Sequence, residues 1–299
     1  MSYMIPKVPP AFHRHERRVE HVYTLGARVN LRLSNSDRTM LHNNGYLSFG
    51  YWENHSDTYP DAARRLLDYF MDQSGIATAE RILNVACGFG TETFAFRERF
   101  KPQEIIGIDI AKIHTDVASA IAEKRGLAAH IRFFHGDAVN LDYPDGYFSH
   151  ILGIEGPAHF RTREKFFHSA CRVLKAGGEL ILTDVILGPG FQQWNHLQRL
   201  IMYVARKAWM APSKNQIGES EYRAQLTRAG FDIAALHKLG DKVFPGYGRS
   251  FTRQVRNENR HMGLMLSTGF TLAAILLGYL YRWQWIEYVF VRAKKVETK

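Results

Sequence analysis

The sequence predicts an α/β fold with a doubly wound, mostly parallel seven-stranded sheet and helical lid insertions. Three observations support this prediction. Short apolar runs alternate with helical stretches from residue 81 onward, a glycine pair follows the first run, and aspartates end the second and third runs. Strands that alternate with helices form parallel sheets, and such sheets bind ligands at the carboxyl ends of their strands. We therefore expect a binding site at that edge.

Composition indicates a globular chain with basic ends. The 299 residues are 45% hydrophobic, which suffices for a packed core, and Cys87 and Cys171 allow at most one disulfide. The N-terminal residues lack the apolar segment of a signal peptide, so we expect a cytoplasmic protein and leave peripheral membrane attachment open. Residues 36–239 hold 23 basic and 23 acidic side chains, so the net charge of +10 belongs to the two ends.

This charge distribution limits the classes of partner. A neutral centre offers no basic track for a nucleic acid, so we expect none to bind. The basic ends suit an anionic membrane surface or an anionic substrate head group. The sequence makes no prediction of the oligomeric state.

The N-terminal third is predicted to be helical and aromatic. Residues 13–33 have the periodicity of an amphipathic helix, and Asp61 is predicted to cap a second helix that runs through Phe70. We expect residues 1–60 to form a lid segment and residues 61–239 the core, with an inserted lid at 187–229. Residues 240–299 are expected to form a basic and apolar insertion followed by the last strand.

Seven apolar runs are the predicted strands. They are RILNVAC, EIIGIDI, HIRFFHGDA, FSHILGIEG, ELILTDVIL, FDIAALHKL and WIEYVFVRA. The first leads into Gly88 and Gly90, where the missing Cβ atoms permit a tight turn and a close approach to a ligand. A dinucleotide fold carries a third glycine near Thr93, and here there is none.

Two aspartates strengthen the prediction of a nucleoside site. Asp109 ends the second strand, 19 residues after Gly90, where a carboxylate can accept both ribose hydroxyls. Asp137 ends the third strand at the same edge. Either aspartate alone fits an ordinary turn equally well, whereas both together, in this order after a glycine loop, favour nucleoside binding.

At this point the chain resembles the class I S-adenosylmethionine-dependent methyltransferases of the small-molecule type. NVACGFGTET, GIDIA and GDA are similar to the first three motifs of that family, and GIEGPAHF and HSACRVLKAGGELILTDV to the fourth and fifth. The resemblance covers roughly residues 45–239 and the last strand. It is strongest to tocopherol, ubiquinone/menaquinone, and macrolide or rebeccamycin O-methyltransferases.

The resemblance implies a Rossmann-like methyltransferase fold and S-adenosyl-L-methionine as methyl donor. It also implies the cofactor contacts, which are Tyr51, Trp52, Ala86, Gly88, Gly90, Asp109, Ile110, Asp137 and Ala138. Asn84 departs from the pattern, because the family usually has a carboxylate there, near the methionine amino group. Cofactor affinity is expected to be lower, and the site to remain.

The two candidate catalytic residues, Glu155 and His159, follow the fourth strand. His159 is the preferred base for a hydroxyl nucleophile, because an imidazole titrates near neutral pH; its structural alternative is to cap the helix that begins near Arg161. Glu155 is a candidate to hold the base, bind the substrate or balance positive charge. Its structural alternative is a carboxylate bonded to backbone. No metal site is expected, because the HRH sequence at residues 13–15 has no partner at ligand spacing.

The run from Met262 to Tyr281 has no charged side chain and is long enough to span a bilayer as a helix. Its aromatic ends suit a membrane anchor, whereas a last strand in WIEYVFVRAKK excludes one, because the strand must rejoin the sheet. We favour a helix that packs on the substrate pocket or lies in a membrane interface. Four arginines precede this run on one helical face, and a solvated face, anionic lipid or an anionic head group each accounts for them; they are Arg249, Arg253, Arg256 and Arg260.

These features predict methyl transfer to an oxygen or carbon of a hydrophobic small molecule. An isoprenoid, polyketide, quinone precursor or fatty acyl compound fits, in a biosynthetic role. Two alternatives stay open: N-methylation of a membrane phospholipid head group, and a non-catalytic cofactor-binding module that docks on membranes.

Overall fold

The computed structural model describes residues 12–34, 45–55, 57–250 and 275–297. In these ranges the seven predicted strands form one sheet. They are β1 (Arg81–Val85), β2 (Glu104–Asp109), β3 (Ile131–His135), β4 (Phe148–Ile154), β5 (Leu174–Leu187), β6 (Phe231–Lys238) and β7 (Ile286–Lys295). Their order is β3-β2-β1-β4-β5-β7-β6, and β7 runs antiparallel to both of its neighbours. The predicted fold class is confirmed.

Helices cover both faces of this sheet. They are α1 (Arg14–Ser34), α2 (Tyr59–Gln73), α3 (Thr91–Phe100), α4 (Lys112–Lys124), α5 (Arg163–Val173), α6 (His196–Ala208), α7 (Glu219–Arg228), α8 (240–250) and α9 (275–282). Alternate residues of β7 enter the two apolar layers: Tyr288 and Phe290 pack with α2 and α8, and Val289 and Val291 with α5 and α7. This alternation is that of a strand buried on both faces.

The start of α2 corrects one prediction. Thr58, not Asp61, is the N-cap: its hydroxyl accepts the backbone N–H of Asp61, and Pro60 lies in the first turn. Asp61 instead accepts a hydrogen bond from the Thr58 hydroxyl at 2.5 Å. The helix therefore begins two residues before Asp61.

The C-terminal strand interpretation is confirmed, because β7 pairs with β5 and β6. Of the apolar run 262–281, residues 262–274 lie outside the described ranges, as do Arg253, Arg256 and Arg260. Residues 275–281 belong to α9, which buries Leu277 and Leu280 and exposes Tyr279. In the parts of the chain that the structure describes, no helix has the length and apolar character needed to cross a membrane.

The inserted segment after β5 contains the amphipathic helix α6. Asn195 and Gln198 form a reciprocal capping box at its start. Met202 and Ala205 are buried, while the opposite face exposes large apolar side chains, which are Leu197, Leu200, Tyr203 and Val204.

Candidate active site

The glycine loop connects β1 to α3 through three left-handed residues. Ala86, Gly88 and Gly90 have φ values of 53°, 51° and 83°. A Cβ on Gly90 would lie 2.7 Å from Cζ of Phe133, and one on Gly88 would lie 3.0 Å from Cδ1 of Leu47. Backbone geometry and close packing therefore both require glycine at residue 90.

A side-chain hydrogen bond between Asn84 and Thr93 connects β1 to α3 on either side of this loop. The Asn84 side-chain amide donates to the Thr93 hydroxyl at 2.8 Å, and both side chains are buried. Thr93 thus occupies, with a hydrogen bond to β1, the position where a dinucleotide fold carries its third glycine. A threonine is therefore accommodated at this buried position by a hydrogen bond to β1.

Asp109 lies beside the loop with most of its acceptor positions in use. Its carboxylate accepts the N–H of Gly88 at 2.9 Å and of Ala111 at 2.8 Å, and Nδ1 of His114 lies at 3.1 Å. Burial alone would raise its pKa, but His114 and the two N–H groups lower it. A carboxylate offers about four acceptor positions, so these three contacts leave one for a ribose hydroxyl.

The ends of β2 and β3 place three further predicted residues at the same edge. Asp137 accepts the N–H of Val139 at 2.9 Å, and burial raises its pKa. Ala138 is buried next to it. The Ile110 carbonyl accepts a hydrogen bond from His135 at 3.0 Å when Nε2 of that imidazole carries the proton.

Helix α1 lies across this edge. Nε2 of His15 is 2.9 Å from the carbonyl oxygen of His159, and Glu16 pairs with Arg161 at 2.5 Å. The ring of Tyr23 lies edge-on to two imidazoles, with centroids 6.0 Å from His114 and 5.8 Å from His159. Burial, followed by the negative charges of Asp109 and Glu155, raises the pKa of Tyr23. The helix therefore covers the site.

Glu155 is held by the last strand and by residues 45–55, here called the covering segment. It has a left-handed backbone with φ of 61°, and its Oε1 accepts the Phe49 N–H and the Tyr288 hydroxyl, each at 2.8 Å. Burial raises its pKa from 4.5 to about 8, against the lowering effect of these two hydrogen bonds. The carboxylate is thus bonded to backbone, as the structural alternative required, and also to a buried hydroxyl.

His159 ends a short 3-10 turn of residues Pro157–His159 and does not cap α5. Asn215 does so instead, because its Oδ1 accepts the N–H of Arg163 at 3.0 Å. Nδ1 of His159 is buried and has no hydrogen-bond partner among the described residues. Burial, then the charge of His15, lowers the pKa of His159 to about 4. The lowered pKa argues against His159 as a base that titrates near neutral pH.

An aromatic cluster adjoins Glu155. Its centre is Phe49, whose ring lies 4.8 Å from Tyr247, 5.8 Å from Trp209 and 6.3 Å from Tyr288. These rings come from the covering segment, the residue after α6, α8 and β7. The backbone N–H of Phe49 donates to Glu155, so this cluster packs directly beside the carboxylate.

Tyr51 and Trp52 make their contacts elsewhere. The Tyr51 ring stacks on Tyr69 of α2 at 5.5 Å, and Trp52 is buried against Gly246 of α8. Leu47 is the residue of this segment that touches the glycine loop.

Several residues of the site escaped the sequence analysis. Arg163 and Asp184 form a fully buried pair with Nε and Oδ2 2.7 Å apart, and Arg163 also donates to the Asn215 carbonyl. No local spacing signals these contacts, because the partners are far apart along the chain. Tyr288 lies 133 residues from Glu155, and no local signal in the sequence links the two residues.

Comparison with known proteins gives a consistent result. The family profile of a methyltransferase domain matches residues 82–178. Over 239 residues, 78% of this chain and 77% of the relative, the sequence is 27% identical to erythromycin 3''-O-methyltransferase of Saccharopolyspora erythraea. It is 26% identical to 27-O-demethylrifamycin SV methyltransferase of Amycolatopsis mediterranei, over 69% of this chain and 74% of the relative.

A solved structure agrees in fold. Geranyl diphosphate C-methyltransferase from Streptomyces coelicolor A3(2), in complex with Mg²⁺, geranyl diphosphate and S-adenosyl-L-homocysteine, superposes with a TM-score of 0.73. It shares 16% identity and covers 96% of this chain and 100% of its own. This likeness shows the fold alone.

The site fits an adenosyl cofactor. The glycine loop after β1 turns sharply through left-handed residues, and carboxylates end β2 and β3 as a nucleoside requires. The methyltransferase profile spans this same loop and both carboxylates. We conclude that residues 82–178 form a methyltransferase domain similar to those of the class I S-adenosylmethionine-dependent enzymes, and that the chain is a methyltransferase with S-adenosylmethionine as its methyl donor.

Proposed function

We propose that this methyltransferase methylates an oxygen or carbon atom of a hydrophobic small molecule, such as a polyketide or an isoprenoid, in biosynthesis. The aromatic cluster around Phe49, which lies beside Glu155, is the observation that carries the proposal. The relatives support the substrate class, since their names refer to erythromycin, rifamycin and geranyl diphosphate.

Glu155 is proposed as the group that removes the proton of the substrate. When bound, the cofactor supplies an electrophilic methyl group on a sulfonium sulfur. Because Oε1 of Glu155 already accepts two hydrogen bonds, Oε2 is the oxygen left to take a proton from a substrate hydroxyl as that oxygen is methylated. A pKa of about 8 makes the ionised carboxylate a stronger base than an ordinary glutamate.

His159 is proposed to position the substrate as a neutral imidazole. Its low pKa keeps it uncharged at neutral pH, so it adds no positive charge near a sulfonium. Its unpartnered Nδ1 is an acceptor for a substrate hydroxyl if the proton resides on Nε2. This role replaces that of the main base, which passes to Glu155.

The cofactor contacts are proposed to come from the glycine loop and the ends of β2 and β3. Ala86, Gly88 and Gly90 approach the methionine part, Asp109 the ribose, and Ile110, Asp137 and Ala138 the adenine. The contacts of Tyr51 and Trp52 with α2 and α8 favour a supporting role for both, in which they hold Leu47 and Phe49 in place.

Peripheral attachment to an anionic membrane is proposed through α6. Leu197, Leu200 and Val204 are 65%, 57% and 58% exposed on one face, and Arg206 and Lys207 follow at its end. An apolar face bordered by basic residues is the pattern of an interfacial helix. Leu200→Asp is expected to reduce sedimentation with anionic vesicles, and His196→Asp, at the start of the same helix, serves as a charge-matched control.

One experiment tests the proposed reaction. Calorimetry with S-adenosylhomocysteine comes first, followed by incubation of the full chain with methyl-labelled cofactor and fractionated host extract. We expect the label to enter the organic phase, and Glu155→Gln to abolish transfer while the product still binds. Absence of S-adenosylhomocysteine binding, or binding of NAD instead, contradicts the proposal.

A further inference from the structure

A basic groove lies between α1 and the end of α6. Its volume is about 300 Å³, and its lining includes six residues that carry, or can carry, positive charge: His15, Arg18, Arg161, Arg206, Lys207 and Lys214. Among the described residues that line it, none is acidic. The cations come from four separate parts of the chain, namely α1, the segment before α5, the end of α6 and the turn after it.

Most of these cations have no acidic partner. Arg161 pairs with the buried Glu16, but none of the described acidic residues forms an ion pair with Arg18, Arg206, Lys207 or Lys214. Elsewhere, surface arginines such as Arg64, Arg99 and Arg172 pair with aspartates. Like charges gathered in one concave surface repel each other and focus a positive potential, which a bound anion relieves.

Helix polarity explains only part of the groove. Arg206 and Lys207 lie in the last turn of α6, where the helix dipole favours cations. Arg18 lies in the second turn of α1, and Lys214 lies in a short 3-10 turn, so the dipole of α6 does not account for them.

The groove lies close to His159 and to the aromatic cluster. His15 lines the groove, and its imidazole contacts the His159 carbonyl at 2.9 Å. Met210 also lines it, directly after Trp209, whose ring packs edge-on against Phe49 in the aromatic cluster. A molecule held in the groove would therefore lie close to the aromatic cluster beside Glu155.

We propose that this groove binds a phosphate ester group, which anchors an amphiphilic substrate whose apolar body lies against the aromatic cluster around Phe49. Arginine and lysine together match the charge and the several oxygens of a phosphate better than those of a single carboxylate. The identification of the group as part of the substrate rests on the proposed function, whereas anion binding itself does not.

Titration calorimetry with inorganic pyrophosphate tests the site in the full chain. The double variant Lys207→Gln/Lys214→Gln is expected to raise the pyrophosphate Kd about tenfold or more. The control Lys124→Gln/Lys165→Gln removes two exposed lysines elsewhere, with the same change in net charge, and is expected to leave the Kd within about twofold. Equal weakening in both variants, or no binding by the unaltered chain, overturns the proposal.

Two further arms separate the outcomes. S-adenosylhomocysteine binding is measured in the same samples. If the unaltered chain does not bind S-adenosylhomocysteine, the proposed function is refuted. If it binds S-adenosylhomocysteine but not pyrophosphate, only this inference is refuted. Vesicles of phosphatidic acid and phosphatidylcholine identify the source of the phosphate. Sedimentation with phosphatidic acid that disappears in the Lys207/Lys214 variant but persists in Leu200→Asp assigns a lipid head group to the groove. Pyrophosphate binding without such sedimentation assigns a soluble ester.

Discussion

The hydroxyl of Tyr288 donates a 2.8 Å hydrogen bond to Oε1 of Glu155. This contact joins the end of β4 to the antiparallel strand β7. The last strand of the chain therefore supports the carboxylate beside the aromatic cluster. The same oxygen accepts the backbone N–H of Phe49. Glu155 is thereby fixed from both the sheet and the covering segment, and its second oxygen is left for chemistry.

Removal of the Tyr288 hydroxyl is expected to shift the titration of Glu155. The hydrogen bond stabilises the ionised carboxylate and lowers its pKa, so Tyr288→Phe should raise that pKa by roughly one unit. The rising limb of the pH–rate profile should shift to higher pH by the same amount, and the affinity for S-adenosylhomocysteine should change little. Tyr69→Phe removes a hydroxyl bonded to His237 instead, and serves as the control. A purely structural role for Tyr288 would lower the rate without moving the limb.

The pH dependence of the unaltered enzyme distinguishes the two candidate bases. If Glu155 removes the proton, kcat/KM for S-adenosylmethionine rises with pH and levels off above about 8, because that ratio reports the free enzyme. If His159 were the base, its pKa of about 4 would give a flat profile from pH 5 upward. Initial rates with labelled cofactor across this range decide between them, and Glu155→Gln should remove the rising limb.

Replacement of Glu155 by glutamine is expected to stabilise the cofactor-free protein in alkali. The carboxyl pKa is raised from 4.5 to about 8 on folding, so the stability of the neutral form is complete below 4.5 and is lost as pH rises through 8. A glutamine carbonyl accepts both hydrogen bonds without this loss. Glu155→Gln should therefore raise Tm at about pH 9 and leave it unchanged near pH 4.5. The exposed Glu98→Gln is the control, and an equal Tm difference at both pH values would contradict the assignment.

The alternation of apolar runs was enough to predict all seven strands and their doubly wound arrangement. A strand buried on both faces reads as a continuous apolar run, as in β7, and this signal is local. The start of α2 was also readable, since Thr58 and Asp61 have the spacing of a capping pair and Pro60 lies between them. That signal was missed because Asp61 itself resembled a cap.

The site was only partly readable because its chemistry depends on burial and on long-range contacts. The glycine loop and Asp109 are local motifs, and the structure brings them together through the Gly88 hydrogen bond. The pKa values of Glu155 and His159 move in opposite directions because both groups are desolvated and one is an acid, the other a base. Spacing along the chain contains neither fact.

Alanine at Gly90 is expected to damage the cofactor site. The substitution forces a left-handed backbone with φ of 83° on a side chain whose Cβ would lie 2.7 Å from Phe133. We expect a loss of about 2–4 kcal/mol in stability and at least about tenfold weaker S-adenosylhomocysteine binding. Gly126→Ala has φ of 67° with nothing within 4 Å, so it isolates the backbone cost of about 1 kcal/mol. Similar losses for both variants would show that packing against Phe133 is unimportant.

The buried pair of Arg163 and Asp184 is expected to stabilise the wall behind His159. Nε and Oδ2 are 2.7 Å apart with both side chains inaccessible, and Arg163 also binds the carbonyl of Asn215, which caps α5. Asp184→Ala leaves a guanidinium buried without a counter-charge, so urea denaturation should show a loss of about 3–5 kcal/mol. Asp68→Ala breaks the exposed pair with Arg64 and should cost less than about 0.5 kcal/mol. Losses of the same size would mean that solvent reaches Arg163, in which case the turn that carries His159 is not held by a dry ion pair.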